Sequence, residues 1–386
     1  MRPADRQPPS GLVSAEYAAS IVDMARELGI DRLGFTDASV LHRARVALDD
    51  RVARGLSDTM GFTFRNPERS TDPTRAVEGA RSVIVAARSY NVVDEQRPVG
   101  PVATVARYAR IDQYTPLRQA LQKIALRLRA DGFRAVVFAD ENDLVDREVA
   151  HRAGLGWFGK NANILLPGMG SFFSLGSIVT TAEFPPAPQP APDGCGSCRT
   201  CIDDCPTGAI VDNGVIDARR CLAWLVQKPG VFPAEFRVAL GDRIYGCDDC
   251  QTTCPPNVRL SSRHRPRDSA SIPVPVGPGQ FVDLLELLWA NDARIIELYG
   301  RWYLADRDPM WLRRNALVIL GNVASVPVDE SVREVLRHYL GSDVAILRAH
   351  AVWAARRLGQ SDLAETVRND LDELVRAEWN APVTSR

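Results

Sequence analysis

Apolar residues recur at helical spacing at Ala18, Ile21, Val22, Ala25 and Leu28, behind the candidate cap Ser14 and ahead of Gly29, and this pattern predicts an opening helix. Further along, the period changes. Residues 82–87, 135–139 and 172–180 are short, apolar and partly β-branched, the pattern of buried strands, whereas 117–128 and 144–152 read as helices. The first half of the chain is therefore expected to be a mixed helix-and-sheet layer structure. Two proline-rich breaks follow. Residues 184–194 carry too many prolines to sustain a ladder or a helix and read as a stiff connector, and 272–278 precede a helical C-terminal third.

That third contains an internal echo. Residues 308–317 align with 343–352 at an offset of 35 residues, with Leu312 over Leu347, Arg313 over Arg348 and Ala316 over Ala351. Two helical pairs stacked side by side, as in a short HEAT-like solenoid, would give this register, because each pair has an apolar face that only its neighbour can cover.

Composition acts mainly by exclusion. The 386 residues are 45% hydrophobic and 25% charged, too many for one typical core. With 47 basic against 48 acidic residues, no global field draws the chain to nucleic acid or to a membrane surface. The only lysines are Lys123, Lys160 and Lys228. No window approaches the roughly 18 uninterrupted apolar residues of a membrane span, so a soluble, cytoplasmic protein is expected.

All eight cysteines fall between Cys195 and Cys254, which argues for one metal-rich module rather than a disulfide scaffold. Cys195-x2-Cys198-x2-Cys201-x3-Cys205-Pro206 has the spacing of bacterial ferredoxins, in which three thiolates wrap one 4Fe-4S cube and the fourth reaches the other. Cys247-x2-Cys250-x3-Cys254-Pro255 ends in the same way, its missing first ligand displaced upstream to Cys221. The crossing rule then assigns Cys195, Cys198, Cys201 and Cys254 to one cluster and Cys205, Cys221, Cys247 and Cys250 to the other. The competing reading is a pair of all-cysteine zinc sites, which would not explain two interlocked halves.

Electron-transfer modules need a partner that carries the reaction, and the N-terminal half is expected to lack the Gly-x-Gly-x-x-Gly fingerprint of a Rossmann dinucleotide site. Its richest stretch is Ala153-Gly-Leu-Gly-Trp-Phe-Gly-Lys-Asn161, followed by Gly168-Met-Gly-Ser171. These glycines permit close backbone approach to a large ligand, with Lys160 and Asn161 as polar contacts; equally, Gly154 can cap a helix and Trp157 can pack in a core.

Together with Arg107-Tyr-Ala-Arg110, Tyr245-Gly-Cys-Asp-Asp-Cys-Gln251, Cys254-Pro-Pro-Asn257, Arg314-Asn-Ala316 and Gly321-Asn322, these segments make the chain resemble the epoxyqueuosine reductase family over most of its length. The resemblance implies an α+β protein in three parts: a mixed α/β cobalamin-binding domain (1–184), a ferredoxin-like double 4Fe-4S module (185–271) and a HEAT-like helical domain (272–386). It implies cobalamin beside the cluster module, contacted by Tyr108, Arg147, Gly156, Trp157, Lys160, Asn161 and Ser171, and a proton donor at Asp140. It further implies a tRNA anticodon as substrate carrier, an external low-potential donor such as ferredoxin or flavodoxin, and a monomer. Arg313, Arg314, Arg348, Arg356 and Arg357 are the candidate phosphate contacts, against the alternative that they pair with nearby acids. The chain departs from the family pattern at Asp140-Glu-Asn-Asp143, where a small residue and proline are usual, and at Asp112-Gln-Tyr-Thr115, which lacks a histidine. Two other readings fit the same residues: a paralogue that reduces a small molecule, and a non-enzymatic electron-transfer protein.

Overall fold

The structure is a computed structural model that describes residues 11–90, 94–187, 189–261 and 277–383. Its strands, in chain order, are β1 (Arg32–Asp37), β2 (Ser82–Ser89), β3 (Val102–Val105), β4 (Ala135–Phe138), β5 (Trp157–Phe158), β6 (Ile164–Leu165), β7 (Phe173–Thr180), β8 (Ile210–Asp212), β9 (Val215–Ile216), β10 (Arg243–Tyr245) and β11 (Phe281–Asp283). The chain divides into two units that interleave along the sequence. The first takes the described residues within Met1–Val93, Asp112–Ala218 and Asp249–Pro275; the second takes those within Asp94–Ile111, Arg219–Asp248 and Val276–Arg386.

The first unit is built on a four-stranded sheet of order β1-β2-β7-β4, antiparallel throughout. Strand β2 is buried along nearly its whole length, which is why it reads in sequence as a continuous apolar run rather than an alternation. Its odd and even residues feed different cores. Ile84 and Ala86 face Ile21 and Ala25 of the helix Ala15–Glu27 and Leu117, Leu121 and Ile124 of the helix Tyr114–Ala130. Val83, Val85 and Ala87 face Val149 and Ala150 of the helix Asp146–Arg152. The opening helix starts where its cap was expected, the Ser14 hydroxyl accepting from the Tyr17 N–H at 3.1 Å. The proline-rich run after Phe184 begins tied to this sheet: the Phe184 N–H donates to Ser82 Oγ at 2.9 Å, the Ala187 N–H to Phe35 O at 3.1 Å, and the Phe184 ring stacks on Phe35 at 4.6 Å. The other break, 272–278, lies mostly outside the described residues.

The second unit has β3 at the centre of a small sheet, parallel to β10 and antiparallel to β11, beside a helical body. The helices Met310–Val323 and Ala345–Arg357 carry the repeat noted above, and both bury Leu, Ala and a polar residue at matching positions. Asn315 and His350 occupy the same register, and both are fully buried. Asn315 Nδ2 donates to Val226 O at 2.8 Å, and His350 Nε2 accepts the Phe232 N–H at 3.1 Å, so each repeat pins one end of the loop 226–232. No helix among the described residues is long and apolar enough to cross a membrane.

Candidate active site and cluster ligands

In the first unit the cysteine segment folds into short turns. The Cys198 N–H closes on Cys195 O at 3.0 Å, and the Cys254 N–H closes on Gln251 O at 3.1 Å. None of the eight cysteines is in a disulfide; Cys254 is buried and the others are half-buried. Burial pushes the Cys254 thiol up to about 11, and Cys201, Cys195 and Cys198 add to the shift. Cys201 is raised in the same way by burial, then by Cys195 and Cys198. Cys201 and Cys254, whose ionisation burial and neighbouring cysteines oppose, need a cationic centre to hold them as thiolates, which an iron–sulfur cluster provides. Backbone donors are already aimed at sulfur, since the Ala209 N–H reaches Cys205 Sγ at 3.2 Å. Among the described residues no three His, Cys, Asp or Glu side chains converge on a single-ion site. Cys205 and Cys250 belong to the first unit, and Cys221 and Cys247 to the second.

The glycine-rich segment leads into a hairpin, Trp157 opposite Leu165 and Phe158 opposite Ile164. Gly154-Leu-Gly156-Trp-Phe-Gly159 does match the letters of a dinucleotide fingerprint, but it follows the helix Asp146–Arg152 and enters β5, the reverse of a strand–turn–helix context. The close approach that Gly156 permits is used by the chain itself: a Cβ there would stand 2.3 Å from Leu165 O. Beyond it, the segment grips the cysteine turns. Lys160 Nζ donates to Gly196 O at 2.7 Å, and Asn161 Nδ2 donates to Cys250 O at 2.9 Å.

Ser171 is held by two residues that sequence reasoning did not single out. Its hydroxyl donates to Gln251 Oε1 at 2.9 Å and accepts from Asn257 Nδ2 at 2.9 Å, while its N–H donates to Asn257 Oδ1 at 2.8 Å. Asn257 Nδ2 also reaches Gln251 O at 2.8 Å. All three side chains are buried, so this is a satisfied polar core between the Gly168–Ser171 turn and the last cysteine. The only available signal was that Gln251 and Asn257 sit inside the cysteine motif. Arg147 is exposed, with Nη1 donating to Ala162 O at 2.8 Å. Tyr108 belongs to the second unit, half-buried with its ring 6.1 Å from Tyr245, which stacks on Trp302 at 4.5 Å.

Asp140 follows β4 after one intervening residue in a left-handed conformation, φ 59°, which turns the chain after the strand. The residue is exposed, yet partial burial of its carboxyl raises the pKa; Arg118 opposes this, and Glu141 and Asp112 reinforce it. Glu141 pairs with Arg118 at 3.1 Å and Asp143 with Arg69 at 2.8 Å, so the extra acids beside Asp140 are partly neutralised. A second carboxyl, Asp146, opens the helix that follows. Burial pushes Asp146 up to about 7, with Asp140 and Glu141 adding, against the Ser177 hydroxyl and Arg147. Ser177 is fully buried on β7 opposite Phe138, and its hydroxyl donates to Asp146 Oδ1 at 3.0 Å.

The five candidate phosphate arginines are committed within the second unit. Arg313 pairs with Asp292 at 2.5 Å and Arg348 with Asp370 at 2.9 Å, partners other than the neighbouring Asp308 and Asp343. Arg314 is fully buried and donates to Leu225, Lys228 and Gly230 carbonyls; burial and the nearby Arg237 charge push it down to about 9, so it keeps its proton at neutral pH. Arg356 donates to Glu378 O and Ala381 O, and Arg357 to Asn322 Oδ1.

Residues 194–257 match the family model of the 4Fe-4S double cluster binding domain, which decides between cubes and zinc, and residues 70–141 match that of epoxyqueuosine reductase QueG. An epoxyqueuosine reductase of Bacillus anthracis is 32% identical over 372 residues, covering 93% of this chain and 95% of the relative. The crystal structure of an epoxyqueuosine reductase with an epoxyqueuosine-modified tRNA-Tyr stem loop superposes with a TM-score of 0.82 at 28% identity, covering 94% of this chain and 97% of that one. Bacillus subtilis epoxyqueuosine reductase, in a form whose aspartate-bearing catalytic loop is swung out of the active site, gives the same TM-score of 0.82, identity of 28% and coverage of 94% and 97%.

Proposed function

This chain belongs to the epoxyqueuosine reductase family, and from that premise we propose that it removes the epoxide oxygen of epoxyqueuosine in tRNA to give queuosine. The observation that carries the reading is the joining of a double-cluster cysteine segment to a strand-end aspartate of raised pKa within one chain of family-wide similarity. Turning an epoxide into an alkene and water takes two electrons and two protons. Clusters pass electrons singly, so the reaction draws them in sequence from an external low-potential donor such as ferredoxin or flavodoxin. The second cluster takes Cys205, Cys221, Cys247 and Cys250, on the crossing rule of the ferredoxin spacing.

Cobalamin, when bound, supplies a strongly reducing cobalt centre. Of the residues assigned to it, Arg147 is exposed and free at its remaining nitrogens to meet an acidic or carbonyl group. Lys160, Asn161 and Ser171 serve it indirectly, because their polar atoms hold the glycine-rich and Gly168–Ser171 turns in shape. Gly156 and Trp157 shape the same segment, and Tyr108 is assigned to the cobalamin by the family resemblance alone. Asp140 carries the proton that leaves with the epoxide oxygen: its raised pKa keeps the acid form populated closer to neutrality than an ordinary aspartate. The helical pairs of the C-terminal third form a HEAT-like repeat that supports the tRNA, with 1–184 and 185–271 as the cobalamin and cluster parts of a monomer working in the cytoplasm.

The test is single-turnover reduction. Protein purified without oxygen, loaded with cobalamin and pre-reduced, should convert an epoxyqueuosine-bearing tRNA stem loop, read as loss of one oxygen atom from the nucleoside by mass spectrometry. An unchanged nucleoside with both clusters and cobalt present would reject the substrate.

A further inference from the structure

Among the described residues the indole N–H of Trp157 is buried with no hydrogen-bond partner. An amide-like donor taken out of water without an acceptor is costly, and native folds seldom leave one so. Its surroundings indicate what the missing acceptor is. The ring packs its face against Gly194: a Cβ there would stand 2.6 Å from both Cε2 and Cζ2, and Cε2 is the carbon bonded to the nitrogen of the N–H. Gly194 is the residue before Cys195. On the other side of Cys195, Gly196 O is held by Lys160 Nζ at 2.7 Å, three residues on from Trp157 in the same segment. The stretch 157–160 therefore straddles the first cluster cysteine, gripping its two neighbours, and the orphan donor sits on the Trp157 edge of that grip.

We propose that the Trp157 indole N–H donates to an inorganic sulfide of the cluster held by Cys195, Cys198, Cys201 and Cys254. The inference rests on the double-cluster assignment, not on the identity of the substrate. Sulfur in such a cluster is an anionic acceptor, and donors to it stabilise the more negative, reduced state, so they raise the potential. Trp157 is then a positioning residue that tunes the cluster, and Gly194 is glycine because any side chain would push the indole away. The two other orphan atoms, Ser70 Oγ and Trp311 Nε1, have no such neighbour: Trp311 lies beside the Arg314 guanidinium, 5.5 Å from its ring.

The experiment is a redox titration of anaerobically purified native and Trp157→Phe protein, followed by electron paramagnetic resonance. Iron and sulfide content equal to native shows that both clusters are present in the variant, independently of any turnover. One of the two midpoint potentials is expected to fall and the other to stay. Two unchanged potentials at full iron content overturn the proposal. Should the variant lose a cluster, native protein carrying heavy-nitrogen-labelled tryptophan decides instead. Electron–nuclear double resonance on the reduced cluster is expected to show coupling to an indole nitrogen, and no coupling overturns the proposal.

Discussion

Asp140 and Asp146 lie six positions apart yet carry different chemistry. Asp140 is exposed, at a left-handed turn beyond β4; Asp146 is anchored to the buried Ser177 hydroxyl. Asp140→Asn should keep both clusters and bound cobalamin while single-turnover reduction falls about 10²–10⁴-fold, the usual contribution of a positioned general acid. Unchanged turnover would remove Asp140 from the chemistry. For Asp146 the prediction concerns stability. Its folded pKa, about 7, lies above the ordinary aspartate value, so between the two the folded state binds more protons than the unfolded chain. The stabilisation is complete at acid pH and is lost as pH rises through about 7, opposite to a salt-bridged carboxylate. Asp146→Asn should flatten that slope and leave the variant more stable than native at pH 8 by on the order of 1 kcal/mol or more. Thermal melts of the two proteins across pH check it, and parallel curves would show that Asp146 is ionised at no cost. Nothing in the sequence distinguished Asp146, because the burial that sets it apart comes from β7, some thirty residues downstream.

The elements themselves were legible where a single period ran long enough. The apolar runs became β2, β4 and β7, and the 3.6-residue patterns became the first-unit helices, because in each case the partner surface is a broad core that any apolar face can enter. Polar anchoring between turns was not legible. Lys160, Asn161 and Ser171 are expected from sequence to be ligand contacts, and the structure gives each of them a hydrogen-bond partner on the cysteine segment. Those partners lie 36 to 89 residues away, and no local pattern marks them. The Ser171–Gln251–Asn257 core is satisfied on every side, so deleting one member leaves the others unpaired in a buried site. Asn257→Ala should cost about 2–3 kcal/mol and loosen the turn that carries Cys254. The readout is iron content after exposure to chelator: faster loss of one cluster's iron than from native protein is expected, and equal rates would mean the network does not hold the cysteine turn.

At the scale of the molecule, division of the chain is hidden from sequence because each unit collects three separated segments, with one short piece of each set inside the other's run. A contiguous reading sees composition and linkers, whereas unit membership depends on which strand a segment joins: β3 and β10 are more than a hundred residues apart and parallel. The second unit closes on itself in the same long-range manner. Arg237, on the helix Ala234–Leu240, is 1% exposed and forms a two-pronged pair with Glu378 of the C-terminal helix Glu373–Asn380, at 2.6 and 3.0 Å. Its Nε donates to Phe232 O at 3.0 Å, at the loop that Asn315 and His350 also pin. Removing the acid leaves a guanidinium buried without its counter-charge, beside His350, whose own pKa burial already holds far below the usual imidazole value, with Arg237 opposing its protonation further. Glu378→Ala should therefore destabilise the second unit by about 3–5 kcal/mol, the range for breaking one side of a buried pair. The double change Arg237→Leu with Glu378→Leu should recover much of that loss, since two apolar groups of similar volume need no partner. Denaturant melts of the single and double variants separate the cases: a double variant as unstable as the single would mean that Arg237 acts through its bond to Phe232 O rather than through its charge.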